Sequence, residues 1–308
     1  MKHLKTTLLA AGTSALLMLS MTAHADSERE IEQELAVADG GQVRFKIIDG
    51  DVSFKTWNKD LVKIKGHLGK KSDELIFKAD GVDTIIKVES KGHNYYGKNG
   101  YNHGGGNTEL EITMPENSQL FAQSTSGDFE IDGVKGGVKA KNVSGDIEIS
   151  NSSKSIEAYS SSGDIVLNKC SGEIHVETVS GELDANVDSD RFEASTISGD
   201  IDLVMGKTDR VEVTSVSGDL DLQLELNKHG SIEASTVSGD VDLVFNQKDV
   251  NARFDIVTGP GGEIENGLTD DRPETSWVQS EMLEFKVGKG EGHVELETVS
   301  GSVAVRKR

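Results

Sequence analysis

The chain has 308 residues, a net charge of −21, 5% aromatic residues and a single cysteine. A chain this acidic is poorly suited to bind nucleic acid, or an anionic membrane surface by charge alone. One cysteine cannot form an internal disulfide, so the core and the hydrogen bonds must stabilise the fold.

Residues 1–25 have the features of a secretory signal peptide. Lys2 and Lys5 precede an apolar stretch at residues 8–19, and Ala23-His24-Ala25 forms an A-x-A cleavage site. The apolar stretch is too short for a stable membrane span, and no transmembrane segment is expected after cleavage. Cleavage would leave 30 basic and 53 acidic residues, a net charge of −23. The sequence therefore predicts an exported acidic protein that is periplasmic, secreted or on the cell surface.

Residues 26–125 form a divergent N-terminal part of the predicted fold. Alternating apolar and polar residues predict short strands at 31–37, 42–47, 52–57, 61–64, 83–88 and 109–113. Asp49-Gly50-Asp51 resembles a turn that recurs later, and Pro115 predicts a strand end. The Gly-, Tyr- and His-rich segment 91–107 predicts an inserted, solvated loop, with a tyrosine contact loop as the alternative. His93 and His103 are unfavourable as a metal site because they lie ten positions apart in a glycine-containing loop.

From residue 126 onward, the tripeptide Ser-Gly-Asp returns at a nearly constant spacing. Successive turn glycines from Gly127 to Gly239 lie 18, 18, 18, 18, 19 and 21 residues apart. The repeated tripeptides begin at Ser126, Ser144, Ser162, Ser198, Ser217 and Ser238, with variants at Ser180 and Ser300. A fixed period in this range is typical of a solenoid, whose repeats stack on one another.

Each repeat contains two alternating runs, which predict two short strands per coil. Apolar residues recur at i and i+2 rather than at helical spacing, for example Ile201 and Leu203 after the turn. Small residues recur at one inward position of the second run, namely Ala140, Ala158, Ala194 and Ala234. The prediction is an all-β, single-domain parallel β-solenoid (β-helix) with a thin interior and 18–21 residues per coil. Residues 126–308 form its regular part.

The regular part has an insertion at residues 260–290. The degenerate turn Thr258-Gly259 is followed by a gap of 42 residues before Gly301, about two periods. This spacing predicts one coil with an excursion that covers part of the stack. The terminal Arg306-Lys307-Arg308 is basic and could cap the acidic stack or be incidental.

Carboxylates are the most abundant candidate ligands. Asp200, Asp219 and Asp240 are predicted to bond turn N–H groups, and Asp202, Asp221 and Asp242 to lie on the solvent face. Like charges about 4.8 Å apart repel by about 0.9 kcal/mol in water, and loose binding of Ca²⁺ or Mg²⁺ could relieve this repulsion. A plain solvated face is the favoured interpretation. Cys170 is interpreted as a turn or strand-end residue rather than a reactive thiol.

Catalysis is disfavoured, and no catalytic, cofactor-binding or metal-binding residue is predicted. A polysaccharide-active β-helix enzyme would need Arg or Lys beside its carboxylates, and these coils offer almost none. An active site would also be a local break in the repeat, whereas the acidic residues follow it.

Several motifs are similar to those of the bacterial putative-adhesin β-repeat family. They are Ile112-Thr113-Met114-Pro115, the Ser-Gly-Asp series, Asp49-Gly50-Asp51-Val52 followed by Trp57, and residues 294–305. The resemblance spans about residues 30–306 and implies an exported protein without agreed ligand residues. It implies a structural or adhesive envelope protein that binds a protein or glycan. The alternative is a periplasmic accessory of an envelope signalling system.

Overall fold

The computed structural model describes residues 29–38, 40–69, 74–89 and 108–308. The predicted signal peptide at 1–25 and the loop at 91–107, with His93 and His103, lie outside the described residues. Within the described ranges every regular element is a strand, and no helix is present that could cross a membrane. The all-β prediction is confirmed.

Twenty-three strands follow one another along the described residues. They are β1 (Arg29–Ala36), β2 (Gln42–Lys46), β3 (Asp51–Trp57), β4 (Leu61–Leu68), β5 (Glu74–Asp80), β6 (Asp83–Glu89), β7 (Glu109–Pro115), β8 (Gln119–Gln123), β9 (Phe129–Asp132), β10 (Val138–Ser144), β11 (Ile147–Ser150), β12 (Ser155–Ser162), β13 (Ile165–Ser180), β14 (Leu183–Ser198), β15 (Ile201–Ser217), β16 (Leu220–Ser238), β17 (Val241–Phe245), β18 (Ala252–Thr258), β19 (Ile264–Asn266), β20 (Glu274–Thr275), β21 (Glu281–Lys286), β22 (Gly292–Ser300) and β23 (Val303–Lys307).

The strands form two walls, which the long strands β13 to β16 join around a corner. Wall A contains the run that leads into each Ser-Gly turn, and wall B contains the run that follows it. Neighbouring coils pair in parallel with equivalent residues aligned, as in Ala140 opposite Ala158 on wall A and Ile147 opposite Ile165 on wall B. This register confirms the parallel β-solenoid with two strands per coil.

The core between the walls has different residues in the middle and at the two ends. The four alanines at the repeated inward position are all buried. Near the N-terminal end Phe45, Phe54 and Phe129 pack edge to face, with ring centroids 5.3–6.2 Å apart. Near the opposite end Phe254 lies 5.9 Å from Phe245 and stacks on Phe285 at 4.5 Å. Clusters of aromatic rings thus fill the ends, while aliphatic residues and Phe192 fill the middle.

The coils do not stack in chain order at the two ends. On wall A, β2 lies between β6 and β8, and the late strand β22 lies between β16 and β18. On wall B, β3 lies between β7 and β9, and β23 lies between β17 and β19. A simple spiral in which each repeat follows its predecessor therefore describes only the middle of the molecule.

Antiparallel strands close both ends of the stack. β5 pairs with β6, and β1 and β4 continue wall B at the N-terminal end. At the other end β21 pairs with β18, and β20 pairs with β21. The segment 260–290 supplies β19 and a hairpin that covers the end of the stack, where β18 would otherwise have an unpaired edge.

The Ser-Gly corner forces the backbones of successive coils together. Gly199 has φ 139°, and a Cβ built on it would lie 2.1 Å from the carbonyl oxygen of Gly181. In the last coil Gly262, rather than Gly259, stacks on the corner glycine Gly301, with a built Cβ 2.1 Å from its oxygen. The degenerate turn assigned to Gly259 is therefore wrong by three residues. One extra residue separates Thr258 from Ile264 relative to their partners Thr298 and Val303.

Candidate interaction surface

The first aspartate of each repeat belongs to the corner. Oδ1 of Asp200 accepts a hydrogen bond from the N–H of Asp219 at 2.8 Å, and Asp219 accepts one from Asp240 at 2.8 Å. Asp240 in turn accepts one from Ser302 at 2.7 Å. The predicted bond to backbone N–H groups is present, and it joins each coil to the next one. These aspartates stabilise the corner, since a charged acceptor makes a stronger hydrogen bond than a neutral one.

The second aspartates form a row on the outer surface of wall B. Asp184, Asp202, Asp221 and Asp242 are aligned on consecutive coils. Partial burial, followed by the neighbouring carboxylates, raises the pKa of Asp202 and of Asp221. Arg306 on β23 forms an ion pair with Asp242 at one end of the row. The basic C-terminus therefore neutralises one member of this row.

The described positions hold no group of three His, Cys, Asp or Glu side chains arranged to hold a metal ion.

Cys170 lies within β13 at a shift in register, and its side chain is buried. Its thiol donates to the carbonyl oxygen of Ile149 at 3.3 Å, and burial raises its pKa. A buried thiol of raised pKa is a poor nucleophile, which agrees with the structural role predicted for it.

On wall A the alternation of inward and outward residues continues up to each corner, but the polarity of the residues reverses there. Ala194 and Thr196 point inward, so that a hydroxyl residue is buried and the following Ile197 points outward. The reversal follows the repeated sequence Thr/Ser/Asn, then Val/Ile, then Ser-Gly. Some of the buried polar groups bond a corner glycine of the neighbouring coil, as Thr298 does with the carbonyl oxygen of Gly239 at 2.9 Å. These bonded hydroxyls support the corner, whereas the buried hydroxyls of Thr178, Thr196 and Ser215 have no hydrogen-bond partner within the described part of the chain.

The outward aliphatic residues form what we call the apolar stripe. Its members lie on five adjacent coils, because their flanking residues pair from strand to strand. Each side chain is about half exposed, between 47% and 53%. They are Val179, Ile197, Val216, Val237 and Val299. Sequence reasoning missed this stripe, although the reversed polarity of the Thr-Val-Ser-Gly repeats was a readable signal for it.

Two further rows run beside the apolar stripe on the same face. The nearer row has small hydroxyl side chains on its three central coils, with Ser195 opposite Thr214 and Thr214 opposite Ser235, and it has Glu177 and Glu297 at its two ends. The next is the glutamate row, whose members are aligned on four of these coils, with His175 at the same position on the fifth. They are Glu193, Glu212, Glu233 and Glu295. The surface therefore has an aliphatic edge, a shallow hydroxyl floor and an acidic edge.

The same face is different in its earlier coils, where basic and aromatic residues cluster around Tyr159. The Nζ atoms of Lys141 and Lys139 lie 4.2 and 5.3 Å from the Tyr159 ring centroid. The Tyr159 hydroxyl donates to Glu157 at 3.0 Å, and burial together with this carboxylate raises its pKa to about 12. Tyr159 therefore stays protonated, and its ring is positioned by cations rather than by core packing.

A groove of about 490 Å³ connects this cluster with the apolar stripe. Its lining includes Lys141, Tyr159, Glu177, Val179 and Ile197.

A second concavity, of about 770 Å³, lies over wall B at the N-terminal end. There Glu111 pairs with Lys55 at 2.9 Å and Lys65 at 2.7 Å, and these cations lower its pKa. The acids of the second concavity are thus partly neutralised by partners on the same wall.

Comparison with known proteins identifies one family. The model of the Toastrack DUF4097 family matches residues 118–229 and residues 187–306, together more than half of the chain. No curated protein matches the sequence.

Two solved structures are similar in outline. One is a "putative cell adhesion protein" from Clostridium sporogenes, 11% identical, covering 91% of this chain and 100% of its own, at a TM-score of 0.21. The other is a "putative lipid binding protein" from Parabacteroides distasonis, 12% identical, covering 91% and 96%, at a TM-score of 0.35. Similarities this low carry no argument about ligands.

Proposed function

The chain belongs to the Toastrack DUF4097 family, and we propose that it is an exported, non-enzymatic envelope protein that uses wall A to bind another molecule. Its role is structural or adhesive, with a protein or a glycan as the bound partner. The observation that carries the proposal is the apolar stripe, which places five half-exposed aliphatic side chains in one line.

A line of exposed aliphatic residues presents contiguous apolar area to water, which scattered aliphatic residues do not. Isolated surface valines are ordinary, whereas contiguous apolar area rimmed by polar residues is typical of interaction sites. Here the rim is present on both sides, with Ser198 and its equivalents at the corner and the hydroxyl row on the wall. The stripe also recurs in register over five coils, so it offers a long, straight contact surface.

A periplasmic accessory of a signalling system, in which the solenoid docks a membrane partner, is the alternative within the same class. Such an accessory would also bind its partner through wall A, but it would lie in the periplasm rather than on the cell surface. An enzyme acting on polysaccharides is the third candidate, and the described concavities give it no specific support. Accessibility on whole cells separates the first two, because an adhesin must reach the outside.

The test uses the full chain expressed in its native host. A photoreactive residue replaces Val216 in the stripe or, as the control, Asp184 on wall B. We expect crosslinked products from position 216 in intact cells and none above background from position 184. Equal yields from both positions, or none from position 216, would contradict a binding role for wall A. Protease shaving of whole cells then assigns the protein to the surface or the periplasm.

A further inference from the structure

The apolar stripe and the glutamate row together define the chemistry of a partner. We propose that wall A binds a basic amphipathic α-helix of another protein, laid along the stack. This inference rests on the proposed function and specifies the partner of the same surface. The apolar face of the helix would cover the stripe, and its Lys or Arg side chains would reach the glutamate row across the hydroxyl floor.

The spacing of the stripe favours a helix over an extended peptide. Adjacent strands lie about 4.8 Å apart, so the five members span about 19 Å. A helix rises about 5.4 Å per turn and presents one apolar residue to a surface at each turn, which nearly matches one residue per coil. An extended strand repeats its side chains on one face every 6.8 Å or so and loses register after one coil. About 13 helical residues would cover the stripe at about 1.5 Å each.

Charge favours a basic helix over a second copy of the chain. The glutamate row runs parallel to the stripe across Ser195, Thr214 and Ser235, whose side chains are too short to screen it. Within this row Glu212 contacts Arg210 at 2.8 Å, and Glu193 and Glu295 lie 3.5 and 3.7 Å from His175 and His293, which are charged only when protonated. Two copies paired through this face would bring two acidic rows together, which is unfavourable.

A glycan fits the stripe less well than a helix does. Sugar hydroxyls need hydrogen-bonding partners when they are desolvated, and the aliphatic members of the stripe provide none. Tyr159, whose aromatic ring lies on this face, belongs to an earlier coil, and the Nζ atoms of Lys139 and Lys141 lie over its ring. The three central coils carry Ser195, Thr214 and Ser235 at the equivalent position.

The probe is a fluorescent helical peptide of about 14 residues with leucine on one face and lysine on the other. Its anisotropy is measured with the full mature chain at about 0.15 M salt, where long-range attraction is screened. One control peptide replaces every lysine with glutamate, and the other replaces every leucine with serine. We expect binding of the leucine-lysine peptide alone, with a gain of helical circular dichroism from the peptide.

Three triple variants locate the binding surface. Ile197→Ser/Val216→Ser/Val237→Ser removes the centre of the stripe, and Glu193→Gln/Glu212→Gln/Glu233→Gln removes the acidic edge. The control, Asp184→Asn/Asp202→Asn/Asp221→Asn, removes three charges from wall B. We expect at least tenfold weaker binding for each wall A variant and less than a twofold change for the control. The single Val216→Ser substitution, with a smaller loss, serves if the triple serine variant does not fold.

Two results would overturn the inference. Binding that weakens equally in the wall B variant would mean nonspecific attraction to an acidic rod, and equal binding of the glutamate peptide would mean that charge plays no part. The crosslinking experiment separates this inference from the proposed function. A partner captured at position 216 that is a glycan, or lacks a basic amphipathic helix, refutes only the inference. Capture of nothing at position 216 refutes the proposed function itself.

Discussion

At the scale of single residues, the corner glycines are the positions where backbone conformation and close contact most strictly require glycine. Gly199 combines φ 139° with a neighbouring carbonyl oxygen that would lie 2.1 Å from any added Cβ. Real Cβ atoms do not approach oxygen so closely, so substitution must separate two coils as well as strain the backbone. The sequence predicted a turn glycine from its period, whereas the stacked carbonyl became visible only in the structure.

We therefore expect Gly199→Ala to lower the melting temperature more than Gly261→Ala does. Gly261 also has positive φ, 87°, but no heavy atom lies within 4 Å of its built Cβ. Backbone strain alone costs about 1–3 kcal/mol, and the clash adds to it only at Gly199. Thermal unfolding of both variants, with Glu193→Ala as an exposed control, measures the difference. Equal losses at the two glycines would show that close stacking is unimportant.

The aspartate row of wall B opposes folding at neutral pH. The pKa values of Asp202 and Asp221 are raised in the folded protein, so the folded state holds these protons more tightly than the unfolded state. Repulsion therefore destabilises the fold above the folded pKa and disappears as the pH falls towards the unfolded value. We expect Asp202→Asn/Asp221→Asn to raise the melting temperature at pH 7, with a gain that shrinks towards pH 4.

A matched variant on the same wall should change the melting temperature in the opposite direction. Lys55 and Lys65 lower the pKa of Glu111, so Glu111→Gln should lower the melting temperature at pH 7.

The aspartate row of wall B also allows a test of loose cation binding, which remains a prediction. If Ca²⁺ binds the row, millimolar Ca²⁺ should raise the melting temperature more than Na⁺ at equal ionic strength, and Asp202→Asn/Asp221→Asn should remove the difference. Equal effects of the two salts would leave the row as a solvated face.

At the scale of strands, sequence reasoning succeeded where alternation is regular. Residues 201–203 and their equivalents lie on wall B as predicted, and Asp49-Gly50-Asp51 forms a corner, with Asp51 accepting the N–H of Asp128 at 3.0 Å. β5 was missed because its Leu75, Ile76 and Phe77 interrupt the alternation. The apolar stripe was missed because aliphatic residues were assigned to the core by type. Strict alternation from Phe192 and Ala194 continues through Thr196 and Ile197, so that the threonine is buried and the isoleucine is exposed.

The hairpin of β20 and β21 is the element whose loss should matter most at the C-terminal end. Phe285 on β21 stacks on Phe254 and covers the edge of β18. We expect Phe285→Ala to destabilise the chain by about 3–5 kcal/mol, in the usual range for a buried phenylalanine. Exposure of the β18 edge should also promote aggregation, which light scattering would detect.

Trp277→Ala is the matched control for this hairpin. Trp277 lies between β20 and β21 and is 94% exposed, so its removal should leave stability within about 0.5 kcal/mol. If both variants unfold alike, the hairpin does not protect the end of the stack.

At the scale of the whole molecule, the period predicted the architecture but not the order of the coils. Residues 252–266 and residues 293–305 both have apolar inward residues, so either could be the next coil after residues 231–243. What decides the order is the pairing at the end of the stack, where residues 252–266 form the outermost coil and the hairpin of β20 and β21 closes it. Those contacts join residues far apart in sequence and carry no periodic signal.

The order of coils can be tested with paired cysteines. Glu295 on β22 lies beside Glu233 on β16 and beside Asp255 on β18, because β22 separates these two strands. Adjacent strands bring Cα atoms about 4.8 Å apart, within the range of a disulfide, whereas strands two apart lie at about 9.6 Å, beyond it. We expect Glu233→Cys/Glu295→Cys to oxidise to an intramolecular disulfide and Glu233→Cys/Asp255→Cys to stay reduced, with the buried Cys170 unreactive in both. Peptide mapping under mild oxidant reads the outcome directly. A disulfide between positions 233 and 255 would instead place β18 directly on β16, as stacking in chain order requires.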